Sequence, residues 1–126
     1  MSHPYLNSYY PPMPALTITI FCPGESLRTG PLTAIVDTGA DGSMIPQSLL
    51  DQVEAPFVDD ARISSHWGEW RNVQIFTVDV EVNGYRFPAI EVVGDEEGSE
   101  IILGRSFLNK LHLSLNGPAL TSELSR

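Results

Sequence analysis

Residues 34–46 read Ala34-Ile35-Val36-Asp37-Thr38-Gly39-Ala40-Asp41-Gly42-Ser43-Met44-Ile45-Pro46, an apolar run that delivers a carboxylate to a glycine-containing turn. A buried strand ending in such a turn can hold one Asp rigidly at the floor of a cleft. The strand is fixed by packing, and glycine accepts backbone conformations closed to other residues. The arrangement occurs once in the 126 residues. One carboxyl alone serves poorly as both general acid and general base. Two pressed close share a single proton, so that one stays charged to activate water while the other donates. The missing carboxylate is therefore expected from a second copy of the chain.

Working outward, Leu16-Thr17-Ile18-Thr19-Ile20-Phe21 alternates in strand style, with Leu16, Ile18 and Ile20 on one face, and Pro23-Gly24 marks a turn. Residues 32–36 are apolar at nearly every position, which predicts a strand buried on both faces and ending where Asp37 emerges. Downstream, residues 48–53 suit one helical turn. Residues 73–82 and 85–93 read as strands joined by Asn83-Gly84, the strongest local signal for a hairpin. Residues 101–103 form a short buried strand, 106–111 a short helix begun by Ser106, and 112–115 a last strand before Asn116-Gly117-Pro118. Many short strands separated by turns predict a mostly β, barrel-like domain.

Asp37-Thr38-Gly39-Ala40-Asp41 followed by Ser43-Met44-Ile45, together with Ile101-Ile102-Leu103-Gly104-Arg105, resembles the two signatures of the retropepsins, the single-domain aspartic proteases of retroviral type. The resemblance covers residues 15–115. It implies a closed β-barrel with one short C-terminal helix, working as a homodimer that cuts extended polypeptide segments without metal or cofactor. By the same resemblance Asp37 is the catalytic carboxylate, paired across a twofold axis with Asp37 of the second subunit. Thr38 is then a scaffold whose hydroxyl reaches the opposing loop, and Gly39 permits the turn and offers a carbonyl to substrate. Asp41 binds substrate main chain and pairs with Arg105 beneath the loop, while Ala40 and Gly104 support the site. The segment Ile63-Ser64-Ser65-His66-Trp67-Gly68-Glu69-Trp70-Arg71 falls where the family carries a flap, with Gly68 suited to the tip. Trp67, Gly68 and Glu69 are the flap residues expected against substrate. Trp67 and Trp70 suit either the substrate pocket or packing beneath the hairpin.

Length suits one domain. A single cysteine, Cys22, allows no intrachain disulfide, and residues 1–14 lack the basic start and apolar stretch of a secretory signal, so a cytoplasmic protein is expected. The net charge of −9, from 16 acidic and 7 basic residues, argues against nucleic acid or an anionic membrane as partner. Three Tyr and four Pro in residues 1–14 point to a flexible leader, or else an arm that packs on a partner subunit or lies in the cleft. Residues 116–126 read as a tail available to a dimer interface. A calcium loop counted from Asp37 fails, with Gly39 third and Ser48 twelfth. His3, His66 and His112 are too scattered for a metal site, and Cys22 has no base beside it. The competing reading is a catalytically silent dimer of the same fold, serving as a binding or assembly module. Against it stand the intact Asp37, Thr38 and Gly39, since a buried like-charge pair costs stability and has no purpose in a silent copy. Ala40 follows Asp-Thr-Gly where pepsin-like enzymes carry a hydroxyl. Alanine cannot donate to the carboxylates, so activity is expected to peak at roughly pH 4.5 to 6.5.

Overall fold

A computed structural model describes residues 2–64 and 68–125. Its strands in chain order are β1 (Ser2–Pro4), β2 (Ala15–Phe21), β3 (Arg28–Val36), β4 (Met44–Pro46), β5 (Phe57–Ser64), β6 (Trp70–Val82), β7 (Tyr85–Asp95), β8 (Ile101–Leu103), β9 (His112–Asn116) and β10 (Thr121–Ser125). Two short helices, α1 (Gln47–Gln52) and α2 (Arg105–Leu108), complete it.

The barrel closes because alternating strands each have one apolar face to bury. In β2 the residues Leu16, Ile18 and Ile20 face inward and are at most 1% exposed. β2 pairs with β3 on one side and with β6 on the other, and the circuit runs β2-β3-β8-β4-β7-β6 back to β2. β5 stands outside this closure and, among the described residues, pairs with β6 alone as a long hairpin. In β3 only Ala34, Ile35 and Val36 are buried in succession; Leu32 is half-buried and Thr33 exposed. The strand is covered on both faces only where β8 runs parallel to it, through Ala34↔Ile101 and Val36↔Leu103. Phe107, Ile45, Leu50 and Val78 fill the centre, and Phe107 meets Phe87 edge-to-face at 5.3 Å. Asn83 and Gly84 both take positive φ, 53° and 76°, the pair of left-handed residues a two-residue hairpin of this twist demands.

Three features depart from the sequence reading. The composition of residues 1–14 points to a flexible leader. The structure instead seats residues 2–14 on the barrel. β1 pairs with β10, and the buried His3 ring accepts from the Thr17 N–H at its Nδ1 (3.0 Å) and bonds Asn83 Oδ1 through its Nε2 (2.8 Å). Leu6 and Met13 are bonded to each other, and the Pro14 carbonyl accepts from the Val36 N–H at 2.9 Å. Leu6 and Met13 apart, these partners lie well along the chain, where local composition cannot reveal them. The tail at 116–126 likewise contains β10, which joins β1 and β9 in a three-stranded sheet. Finally, of the two short helices, α1 lies where the helical turn was expected, but α2 begins at Arg105, after Gly104, not from a Ser106 cap. Among the described residues, no helix is long and apolar enough to cross a membrane.

Candidate active site

β3 hands the chain to the Asp37 loop under close control. The Asp37 N–H donates to the Leu103 carbonyl at 3.0 Å, and the Ala40 N–H turns back to the Asp37 carbonyl at 3.2 Å. Beneath the loop, the start of α2 presents its free backbone donors, which every helix must satisfy. The Arg105 N–H donates to the Ala40 carbonyl and the Ser106 N–H to the Asp41 carbonyl, both at 2.9 Å. Gly104 makes this approach possible. A Cβ there would stand 2.2 Å from the Gly42 oxygen and 2.8 Å from the Ala40 oxygen, so only glycine fits, for want of space rather than for φ. The fully buried Ser43 hydroxyl accepts from the Gly104 N–H at 3.0 Å and shares a hydrogen bond with the Ser106 hydroxyl at 3.2 Å. Its carbonyl takes the Val93 N–H at 2.8 Å. Ser43 and Ser106 thus lock the two signature segments together. Neither role was expected, although Ser43 beside Gly42 and Ser106 just past the second signature were the available signal.

The Asp37 side chain is exposed, and its Oδ1 accepts from the Gly39 N–H at 3.0 Å. Among the described residues this is the carboxylate's one hydrogen bond. Thr38 and Gly39 are exposed as well, so the single chain presents Asp-Thr-Gly on an open surface and does not itself desolvate it. The Arg105 guanidinium bonds the Asp41 carboxylate and donates to the Thr38 carbonyl at 2.8 Å. This pair was expected beneath the loop. It lies at the surface instead, with the side chains 45% and 92% exposed, because backbone bonds from Arg105 and Ser106 already fill the space below. Ala40 sits half-buried between them.

A groove of about 650 Å³ runs between the loop and the β5–β6 hairpin. Gly39, Ala40 and Asp41 form one wall, Met44 and Val93 belong to the barrel side, and Arg62, Ser64 and Trp70 come from the hairpin. The Arg62 guanidinium lies over the Trp70 ring, 5.0 Å from its centroid. Gly68, with φ of 78°, and Glu69 are exposed at the hairpin end and outside the groove's lining, as is Asp37. Trp67 lies outside the described residues. Sequence reasoning did not single out Arg62. Cys22 stands far from the loop, and burial, followed by the carboxylates of Glu25, Glu54 and Asp79, pushes its thiol up, which disfavours a nucleophilic thiolate.

Residues 27–110 match the protein family described as "gag-polyprotein putative aspartyl protease", a span holding both the Asp37 loop and the Gly104-Arg105 base beneath it. The chain belongs to this family. Sequence comparison with curated proteins returns no match. Among solved structures, a retropepsin-like aspartic protease from Rickettsia conorii is similar with a TM-score of 0.62 at 12% identity, covering 100% of this chain and 92% of that one. EIAV protease complexed with the inhibitor HBY-793 follows at 0.56 and 20% identity, covering 78% and 86%. The retroviral protease-like domain of Ddi1 from Leishmania major gives 0.51 and 14%, covering 90% and 95%. At these identities the likeness establishes the fold, a retropepsin-like barrel.

Proposed function

We propose that the chain is an aspartic endopeptidase whose active form is a homodimer with one Asp37 from each subunit. The observation that carries this reading is the state of Asp37 in one chain: one oxygen pinned by the Gly39 N–H, on a loop locked from below, with the carboxylate otherwise open. A rigid, half-finished carboxylate site is what a twofold partner completes. Membership of an aspartyl protease family and the barrel fold support the same conclusion.

An extended polypeptide lies in the groove as an added strand, bonded along its main chain by the Asp41 loop and the β5–β6 hairpin, which acts as a flap. Water held between the two carboxyls gives a proton to the ionised Asp37 as its oxygen attacks the scissile carbonyl carbon. The protonated Asp37 of the other subunit passes its proton to the carbonyl oxygen as charge develops there. Collapse of the tetrahedral diol breaks the carbon–nitrogen bond. The leaving nitrogen takes a proton from the carboxyl that received it from water, the other carboxyl recovers the diol proton, and the single-proton state returns. Symmetry lets either subunit take either role.

The test is cleavage of a mixed peptide library by wild type and Asp37→Asn, with and without a statine-type inhibitor. Cleavage that the inhibitor blocks and the substitution abolishes is expected. Undiminished cleavage by purified Asp37→Asn, or none by wild type across the acidic range, would overturn the reading.

A further inference from the structure

Among the described residues, Arg62 is a charge without a counter-charge in the groove. Among the described residues two ion pairs form, Arg86 with Asp79 and Arg105 with Asp41, and Arg62 joins neither. Its cross-strand neighbour is the uncharged Asn72. Among the described residues that line the groove Asp41 is the other charged one, and its charge is already met by Arg105. The free charge of the groove is therefore positive, in a chain that carries −9 overall.

Its placement is also prepared. Arg62 and Trp70 sit on paired strands, Arg62 two residues before the position opposite Trp70, close enough for the guanidinium to lie over the indole. Stacking against an aromatic face holds a guanidinium by its plane and leaves the N–H donors around its edge free, in the fork geometry that matches a carboxylate. Arg62 and Trp70 both line the groove, and with Trp70 63% exposed the stack is not part of a packed core.

We infer that the Arg62–Trp70 pair forms a subsite for an acidic side chain of the polypeptide substrate, with Arg62 as a specificity-determining residue. This rests on the protease reading above and adds the substrate class. In a twofold dimer the subsite occurs twice, so the preference for Glu or Asp appears at two positions, one on each side of the scissile bond.

The test uses full-length Asp37→Asn protein as a non-cleaving trap and fluorescent extended peptides that differ at one position among Glu, Gln and Lys. Binding is read by anisotropy, and cleavage by wild type is profiled on the same peptides. At two positions Glu should bind roughly tenfold or more tightly than Gln, as a charge-assisted bond in a partly desolvated groove allows. The advantage should shrink with added salt. Adding Arg62→Gln to the trap should remove it, and Arg62→Glu should shift the preference to Lys. Because Arg62 is exposed, neither substitution should unfold the chain. Equal binding of Glu and Gln peptides at every position, or a preference that survives Arg62→Gln, overturns the subsite even where wild type cleaves. A protein that neither binds nor cleaves any peptide overturns the protease reading as well.

Discussion

Gly104 and Arg105 are neighbours with different duties. Gly104 is buried under the Asp37 loop, and a methyl group there meets backbone oxygens that cannot rotate away. Gly104→Ala should therefore cost about 1–3 kcal/mol, the range for overpacking a filled site, seen as a lower urea midpoint and accompanied by loss of activity as the loop shifts. Arg105 works at the surface. Its ion pair with Asp41 is solvated and should contribute about 1 kcal/mol or less to stability, but its bond to the Thr38 carbonyl holds the loop in place. Arg105→Ala should leave the melting temperature nearly unchanged while lowering kcat/KM. A large drop in melting temperature would show that the pair is a folding element after all. The pairing of Arg105 with Asp41 was legible in the sequence through the family resemblance. Its exposure was not, because exposure depends on the backbone bonds that occupy the space below.

At the scale of elements, the residues that announced themselves were those whose local chemistry admits one solution. Asn83-Gly84 could form little else than a tight hairpin turn, and Leu16, Ile18 and Ile20 alternate as the core face of a strand must. β5 was missed because Phe57–Ser64 is almost wholly exposed and carries no clean alternation; pairing with β6 makes it a strand. β1 and β10 were missed for the same reason, being partners from opposite ends of the chain. Asp79 shows how a buried charge can join elements. It lies at a bulge in the β6–β7 pairing and accepts N–H bonds from Gly24 at 3.0 Å and Ala89 at 2.9 Å, and the Arg86 guanidinium bonds it at 2.9 Å. Burial pushes its carboxyl up, but the two backbone bonds and Arg86 together outweigh that and hold it below the ordinary carboxylate value. A depressed value means stability that is present above the unfolded value, about 3.9, and lost as pH falls through the folded one. Urea unfolding of wild type and Asp79→Asn should show a wild-type advantage that is constant above about pH 5 and shrinks below about pH 4. An advantage independent of pH would mean that the carboxylate's charge contributes nothing.

For the whole molecule, one chain provides a closed barrel, a loop locked in place and a groove, yet only one carboxylate in an exposed Asp-Thr-Gly. The single Asp-Thr-Gly in these 126 residues is what the proposed second subunit answers, and among the described residues no second carboxylate stands beside Asp37 in its hydrogen bonding. Among the described residues the terminal sheet ends on β1 and β9, and under the proposed dimer these edges are where a second copy would build. If two Asp37 side chains share the chemistry, activity belongs to the pair. The decisive measurement is peptide cleavage by wild type and Asp37→Asn subunits, unfolded together, refolded in varied ratios and assayed at constant total concentration. Mixed dimers carry one Asp37 and are expected to be inactive, so activity should fall as the square of the wild-type fraction. A fall in direct proportion to that fraction would contradict the shared dyad and place the whole reaction within a single chain.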